Sequence, residues 1–261
     1  MTRIRPAALP GAAGVAAACA LAAVSLVGPS AVAGPDSAAA APAKVAPTPI
    51  ASRPTTREAW TARILLPVHA RSAPTAKARK ISKLSPLAPY NKQPQSLLVV
   101  NARSTVRDGV WYQVLLPSRP NDAVGWVPDD AVRVKKTPYR VLVDLSDRTT
   151  ALIKAGRTIA TFPSAVGTSA NPTPEGRFAL SESVKQRPAN GFFGTYILTL
   201  TAHSESLNEF DGGDGRVALH GTSQPQLLGQ AVSHGCVRLS NAAATRIAKT
   251  VPPGAPVDIV E

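Results

Sequence analysis

From residue 59 to the end of the chain, short apolar runs alternate with turn-forming residues. Runs such as SLLVVNAR (residues 96–103) and GVWYQVLLP (residues 109–117) are shorter than most helices and are bounded by Pro, Gly, Asn or Asp. Asp108-Gly109, between these two runs, predicts the turn of a hairpin. The chain also contains 25 prolines and 18 glycines, and both residue types interrupt regular helices. This pattern predicts a mostly β protein with few, short helices.

Residues 1–33 have the three parts of an export signal. Two arginines open the segment, residues 12–27 are rich in Ala, Leu and Val, and residues 31–33 (Ala-Val-Ala) resemble a signal-peptidase site. Cleavage there would discard Cys19, and we expect a secreted, extracellular protein. Two alternatives are open, namely an uncleaved membrane anchor and a lipoprotein signal with Cys19 as the lipidated residue.

The positive charge is concentrated in the first half of the chain. Residues 34–137 contain 16 Lys and Arg against 6 Asp and Glu, whereas residues 138–261 contain 11 against 10. A basic face attracts polyanions, which for an exported protein are anionic wall polymers or lipid head groups rather than nucleic acid. The alternative is an ordinary solvated surface. Residues 34–57 are rich in Ala and Pro and are predicted to be a linker.

The second half of the chain begins with strand-like alternation in YRVLVDL (residues 139–145), and the run RVALH brings a further strand up to His220. The clearest helix is NAAATRIAKTV (residues 241–251), with Ser240 or Asn241 as its N-cap. The sequence Pro-Pro-Gly ends this helix, and APVDIV follows as a last strand.

Cys236 is the only cysteine after residue 19, and it lies within LHGTSQPQLLGQAVSHGCVRLSN (residues 219–241). A thiol attacks a carbonyl group as the thiolate, and a free cysteine with a pKa near 8.5 is only slightly ionised at neutral pH. An imidazole within hydrogen-bond reach removes the proton and stabilises the anion. His220 and His234 are the candidates. We predict His220 as the base, because His234 is two residues before the cysteine and its side chain can point elsewhere.

Gly235 permits a tight turn, in which its own amide and that of Cys236 face a developing oxyanion. His234 is expected to position this turn or to bind substrate, and Arg238 to neutralise a substrate carboxylate. Two other interpretations of the cysteine are open. One is a zinc site formed by Cys236 and the two histidines, with or without His203, and the other is a structural cysteine.

The motif His220-Gly221, followed by SHGCVRLSN from Ser233 to Asn241, resembles the signature of the YkuD-type L,D-transpeptidase family of peptidoglycan enzymes. The flanking segments VGTSANPTPEGRF and PPGAPVDI resemble that family as well, so the resemblance covers nearly all of residues 139–261. It implies a β-rich sandwich-like catalytic domain, which we place at residues 137–261. Gly221 stands where some members carry a serine.

The resemblance also implies a reaction. Cys236 attacks the third residue of a tetrapeptide stem, releases the terminal D-alanine and forms a thioester, which an amine of a second stem resolves to a 3-3 cross-link. It implies that His220, Cys236 and Gly235 are catalytic, and that the substrate-binding residues are Ser233, His234, Arg238 and Gly221. No metal, nucleotide or other cofactor is implied. The alternatives are a carboxypeptidase or endopeptidase that uses water as acceptor, and a non-catalytic wall-binding protein.

Residues 58–136 resemble a bacterial SH3-like (SH3b) domain, on the segments ILLPVHARSAPTAKA, DGVWYQVLLP and VGWVPDDAV. Domains of this family bind wall peptides or serve as spacers, so the resemblance implies a small β-barrel with a role in attachment rather than in chemistry. No residue in this region has a catalytic pattern.

The loop AHSESLNEFDGGDG, residues 202–215, carries four acidic residues just before His220. We expect either a flexible lid that receives the cationic amine of the acceptor stem or a solvated connection.

Overall fold

The structure is a computed structural model that describes residues 53–209 and 213–261. The predicted export signal and residues 34–52 of the predicted linker lie outside this range. In the described residues, sixteen strands and one α-helix occur. The strands are β1 (Ala59–Ile64), β2 (Val68–Arg71), β3 (Lys80–Leu84), β4 (Ser96–Thr105), β5 (Gly109–Leu115), β6 (Val124–Pro128), β7 (Val132–Thr137), β8 (Tyr139–Asp144), β9 (Thr149–Lys154), β10 (Arg157–Gly167), β11 (Gly176–Lys185), β12 (Tyr196–His203), β13 (Arg216–His220), β14 (Ala231–Ser233), β15 (Val237–Leu239) and β16 (Pro256–Val260), and the helix is α1 (Asn241–Thr250).

The first seven strands form one antiparallel sheet in the order β3-β2-β6-β5-β4-β1-β7. The β4–β5 hairpin turns at Asp108 and Gly109, as predicted, and Gly109 has a φ of +71°. The Asp108 amide donates to the Thr105 hydroxyl at 2.9 Å, which closes the turn. Alternate residues such as Tyr112 and Val114 are buried in the core of this sheet.

The remaining strands form a second, nine-stranded sheet in the order β14-β10-β15-β13-β12-β11-β16-β8-β9. The first half of β10 pairs with β9, and its second half pairs with β15 and β14, so the sheet folds back on itself. The folded sheet packs around a hydrophobic core that includes Phe178, Leu198, Leu219 and Ile247. The prediction of a mostly β fold with few helices is therefore confirmed.

Helix α1 begins where the sequence predicts. Ser240 is the N-cap, and its hydroxyl accepts a hydrogen bond from the Ala243 amide at 3.2 Å. The buried face of the helix consists of Ala243, Ala244 and Ile247, which pack into the core of the second sheet. Within residues 53–209 and 213–261, no helix has the length and hydropathy needed to cross a membrane.

Both sheets belong to one compact unit. The first sheet ends at Thr137 and the second begins at Tyr139. Ala179 on β11 packs into a small apolar cluster with three residues of the first sheet, Ala59, Leu98 and Leu115. The assignment of the first sheet to the SH3-like family stays a prediction, as do the domain boundaries.

Candidate active site

The parallel pairing of β13 with β15 determines what lies beside His220. His220 is opposite Arg238 in this pairing, so Cys236, which directly precedes β15, is level with Ala218. Since side chains two residues apart on a strand share a face, His220 and Cys236 lie on the same face of two neighbouring strands. Both residues line the same cavity. The structure thus brings together the predicted nucleophile and the predicted base.

The hydrogen bond at one ring nitrogen of His220 defines its tautomer. Nδ1 lies 2.5 Å from the main-chain carbonyl oxygen of Gly221, and the ring is 2% exposed. A carbonyl oxygen only accepts hydrogen bonds, so Nδ1 carries the hydrogen and Nε2 of the neutral imidazole carries the lone pair. Nε2 is therefore the atom that can act as a base.

Burial shifts the ionisation of both groups towards their neutral forms. It lowers the pKa of His220 to about 4, the Gly221 carbonyl opposes the shift, and the positive charge of Arg238 adds to it. Burial also raises the pKa of the Cys236 thiol, although a backbone hydrogen bond with Ala218 and the charge of Arg238 oppose this. The sequence favoured an ionised thiol, but in the structure desolvation outweighs the flanking groups. The resting pair at neutral pH is thus a thiol and an imidazole.

The turn before the nucleophile is held by Ser233. Its hydroxyl donates to the carbonyl oxygen of Cys236 at 2.5 Å and accepts from the amide of Gly235 at 3.1 Å. Gly235 has a φ of +109°, which residues with a side chain rarely adopt. Ser233 is therefore a buried support of the turn, and the Gly235 amide is engaged with it in the resting structure. For the predicted oxyanion role, Gly235 must give up or share this hydrogen bond, and that role stays a prediction.

Arg238 and two phenylalanines surround the imidazole. The guanidinium carbon of Arg238 lies 5.1 Å from the ring centre of Phe192, and its Nη1 lies 3.5 Å from Gln224 Oε1. The ring of Phe193 packs edge-on against His220 with 5.0 Å between centroids. The centroid of Phe192 lies 6.1 Å from that of His220, so both phenylalanine rings contribute to the burial that lowers the pKa of His220.

His234 and Gly221, both predicted to bind substrate, have different surroundings. His234 is exposed and lines the cavity beside Cys236. At Gly221, an added Cβ would overlap Asn241 Oδ1, which accepts hydrogen bonds from the amides of Thr195 and Thr222. Gly221 thus packs against the start of α1, and it contributes to the site through its carbonyl oxygen rather than as part of the cavity wall.

A groove of about 260 Å³ leads away from the reactive pair. Cys236, His220 and Phe193 line it, and so does Tyr90 of the first sheet's β3–β4 loop. Its remaining wall is made by residues of β11–β13 and the segment before β13, namely Val184, Ile197, Thr199, Gly213, Asp214, Arg216 and Ala218. The groove thus offers a substrate segment a place beside the thiol.

The acidic loop between β12 and β13 is fastened to the first sheet. Arg119 donates to the carbonyl oxygens of Ser204, Leu207 and Asp214 at 2.7, 2.9 and 3.3 Å. Asn121 exchanges two 2.9 Å hydrogen bonds with the main chain of His203. These hydrogen bonds hold the described ends of the loop in place. The sequence had left open whether the loop is a flexible lid or a solvated connection.

Among the described acidic residues of this loop, Asp214 lines the groove, and it already has partners. Its carboxylate lies 3.2 Å from His203 Nε2 and 3.1 Å from Arg216 Nη2. Arg216 is the main cause that lowers the pKa of Asp214, while burial opposes the shift. Asp214 is therefore an ionised, paired carboxylate.

Sequence reasoning missed Tyr90, Phe192 and Phe193. The two phenylalanines stand between glycines in Gly-Phe-Phe-Gly, within a chain that has only 5% aromatic residues, and that segment is the signal that could have found them. Tyr90 is over 140 residues from the nucleophile and has no such local signal. In the described part of the chain, no three His, Cys, Asp or Glu side chains are arranged so that they could hold a metal ion.

Comparisons with known proteins agree on this region. The family model of the YkuD L,D-transpeptidase catalytic domain matches residues 138–259. The L,D-transpeptidase YkuD of Bacillus licheniformis is 35% identical over 122 residues, which are 47% of this chain and 66% of that protein. YqjB of Bacillus subtilis, also named as an L,D-transpeptidase, is 30% identical over 128 residues, which are 48% of this chain and 72% of that protein.

Solved structures that resemble the chain include an L,D-transpeptidase from Mycobacterium tuberculosis H37Rv. It has a TM-score of 0.43 and 18% identity, and the alignment covers 64% of this chain and 90% of that one. An L,D-transpeptidase from Mycobacterium smegmatis has a TM-score of 0.38 and 16% identity, with 58% and 90% covered. The sequence relatives carry the assignment: through residues 138–259 the chain belongs to the YkuD family of L,D-transpeptidases.

Proposed function

We propose that this protein is a peptidoglycan L,D-transpeptidase that uses Cys236 as its nucleophile and forms 3-3 cross-links between stem peptides. The observation that carries the proposal is the placement of Cys236 and His220 on one face of paired strands, where both line a groove. The Nδ1 hydrogen bond of His220 leaves Nε2 as the basic atom.

In the first half of the reaction, the thiol proton moves to His220 Nε2 as Cys236 Sγ bonds to the carbonyl carbon of the third stem residue. The resulting tetrahedral intermediate collapses when the bond to the nitrogen of the terminal D-alanine breaks. The imidazolium returns its proton to this leaving amine. The products are free D-alanine and a thioester on Cys236.

In the second half, the side-chain amine of another stem attacks the thioester carbonyl. His220 accepts a proton from this amine, the carbon–sulfur bond breaks, and the sulfur is protonated again. A neutral resting pair suits this scheme, because charge develops only during attack. The positive charge of Arg238 stabilises the developing anion, as it does the thiolate.

The oxyanion requires main-chain donors next to the sulfur. We assign the Cys236 amide to this role, together with the Gly235 amide once the latter exchanges its hydrogen bond to Ser233. His234 lies on the exposed rim of the cavity and is proposed to contact the substrate, and Arg238 is proposed to bind a stem carboxylate.

The proposal includes a location outside the cell, at the wall, supported by the export-type pattern of residues 1–33. The excess of Lys and Arg in residues 34–137 supports attraction to anionic wall polymers. The membrane is a partner only where the first segment stays uncleaved. No cofactor takes part in the proposed reaction.

The test incubates the wild-type protein and the variants Cys236→Ser and Cys236→Ala with tetrapeptide-stem muropeptides. Mass spectrometry should detect release of D-alanine, an acyl adduct on Cys236 and 3-3 dimers with the wild type alone. Full activity of both variants would contradict the nucleophile assignment. D-Alanine release without dimers, even with excess acceptor amine, would identify a carboxypeptidase instead. Stem binding with no turnover at all would identify a wall-binding protein.

A further inference from the structure

The loop between β3 and β4, residues 85–95, reaches from the first sheet to the second, where a buried carboxylate holds it. Glu182 on β11 is 1% exposed. Its Oε2 accepts hydrogen bonds from the amides of Tyr90 at 3.2 Å and Asn91 at 2.8 Å. Asn91 also donates through its side chain to the carbonyl oxygen of Ser183 at 3.3 Å. Hydrogen bonds to a carboxylate are stronger than those between neutral groups, so the position of this loop is well defined.

The consequence of this anchoring is the position of Tyr90. Its side chain lines the groove that Cys236 and His220 also line, yet the residue is 53% exposed. A large aromatic ring that stays half exposed while one side faces a groove is typical of a surface that contacts a ligand, since rings of this kind supply contact area with few rotatable bonds.

We propose that Tyr90 is a substrate-contacting residue of the stem-peptide site and that Glu182 is the residue that positions it. The first sheet thereby supplies part of the substrate-binding groove of the catalytic domain. This inference rests on the proposed function and deepens it, because it assigns a peptide-binding role to a segment outside residues 138–259, the region that matches the family. Tyr90 holds the peptide and takes no part in bond making or breaking.

The first experiment measures binding without catalysis. In the Cys236→Ala background, which cannot form the thioester, titration calorimetry gives the Kd of a tetrapeptide stem with and without Tyr90→Ala. We expect the second change to raise Kd roughly tenfold, the effect of a truncated aromatic contact. The matched control is Leu87→Ala, because Leu87 lies in the same loop, is 49% exposed and lines a different cavity. An unchanged Kd in Tyr90→Ala, or no stem binding with Tyr90 intact, would overturn the inference.

The second experiment uses the intact nucleophile. Tyr90→Ala should raise KM for the stem by a similar factor and leave kcat within about twofold, because Tyr90 is proposed to contact the bound peptide and not the bonds that are made or broken. The rate at which iodoacetamide alkylates Cys236 should stay the same, since the reaction of the thiol with this small reagent requires no contact with Tyr90. A fall in kcat or in alkylation rate at constant KM would contradict a binding role. Weaker binding by Tyr90→Ala together with an inactive wild type would refute the proposed reaction and leave this inference standing.

The positioning role of Glu182 is tested by a double-mutant cycle. Glu182→Gln keeps one acceptor oxygen, but it also turns the NH2 group of the new side chain towards main-chain N–H groups. It should therefore weaken stem binding, as Tyr90→Ala does. If Glu182 acts through Tyr90, the double variant should bind no more weakly than Tyr90→Ala alone. Additive losses of affinity would refute the coupling, whatever the effect of each change on stability.

Discussion

The pKa of His220 predicts how the stability of the protein depends on pH. In the unfolded chain this imidazole titrates near pH 6.5, whereas in the folded protein burial lowers its pKa to about 4. The unfolded state therefore binds a proton more readily, and stability falls as the pH drops below 6.5 until the folded pKa is passed. The free energy of unfolding should fall by about 3 kcal/mol in total as His220 becomes protonated. About 2 kcal/mol of this decrease should occur between pH 7 and pH 4.5. Because the ring is 2% exposed, solvent screening reduces this figure little.

The measurement is urea unfolding followed by far-UV circular dichroism at pH 7.0, 5.5 and 4.5, for the wild type and His220→Asn. Other groups, including the buried His203, whose pKa is also lowered by burial, titrate in both proteins, so the difference between the two proteins isolates residue 220. We expect the wild type to lose about 2 kcal/mol more than the variant between pH 7.0 and 4.5. The variant is polar and cannot titrate, and it serves as its own baseline at pH 7.0.

The reasoning would be refuted if both proteins lost stability in parallel. A direct check is the NMR titration of the four histidine rings in the folded wild-type protein. The ring assigned to His220, identified by its absence in His220→Asn, should titrate near pH 4. A value near 6.5 would mean that the ring is hydrated and that the neutral resting pair is wrong.

Three further predictions concern the nucleophile, the start of α1 and the loop before β13. Alkylation of Cys236 by iodoacetamide should accelerate steadily as the pH rises from 6 to 9, because burial raises the pKa of the thiol. A rate that is already constant from pH 6 upward would instead indicate a preformed thiolate. Gly221→Ala should lower the free energy of unfolding in urea titrations by about 1–3 kcal/mol, because a Cβ at this position overlaps the start of α1. The control Gly191→Ala should be close to neutral, because its Cβ meets the nearest atom at 3.5 Å. Arg119→Ala removes three hydrogen bonds to carbonyl oxygens of the loop and should speed amide hydrogen exchange in residues 204–209. Unchanged exchange rates would show that other contacts hold the loop.

Local patterns were sufficient for several elements. The alternation in residues 139–145, the turn at Asp108 and the cap at Ser240 all depend on a few consecutive residues, and each is found as predicted. The candidate nucleophile and base could be proposed from the sequence, because an imidazole activates a cysteine thiol and the chain has only four histidines; their catalytic roles stay predictions.

Other features depend on residues that are distant in sequence. The parallel pairing of β13 with β15, rather than the sequence spacing, is what puts His220 and Cys236 on one face. The hydrogen bond between the Gly235 amide and Ser233 competes with the predicted oxyanion role of that amide. The residue types of this turn allow either arrangement, so the sequence could not decide between them.

Periodicity and side-chain chemistry were thus enough to predict the strand-rich architecture and the capped helix, and to propose Cys236 and His220 as the reactive pair. The tertiary structure alone decided the charge state of that pair, the place of Tyr90 in the groove and the attachment of the acidic loop to Arg119. The physical reason is that desolvation and long-range hydrogen bonds depend on which distant segments come together, and local sequence does not encode those distances.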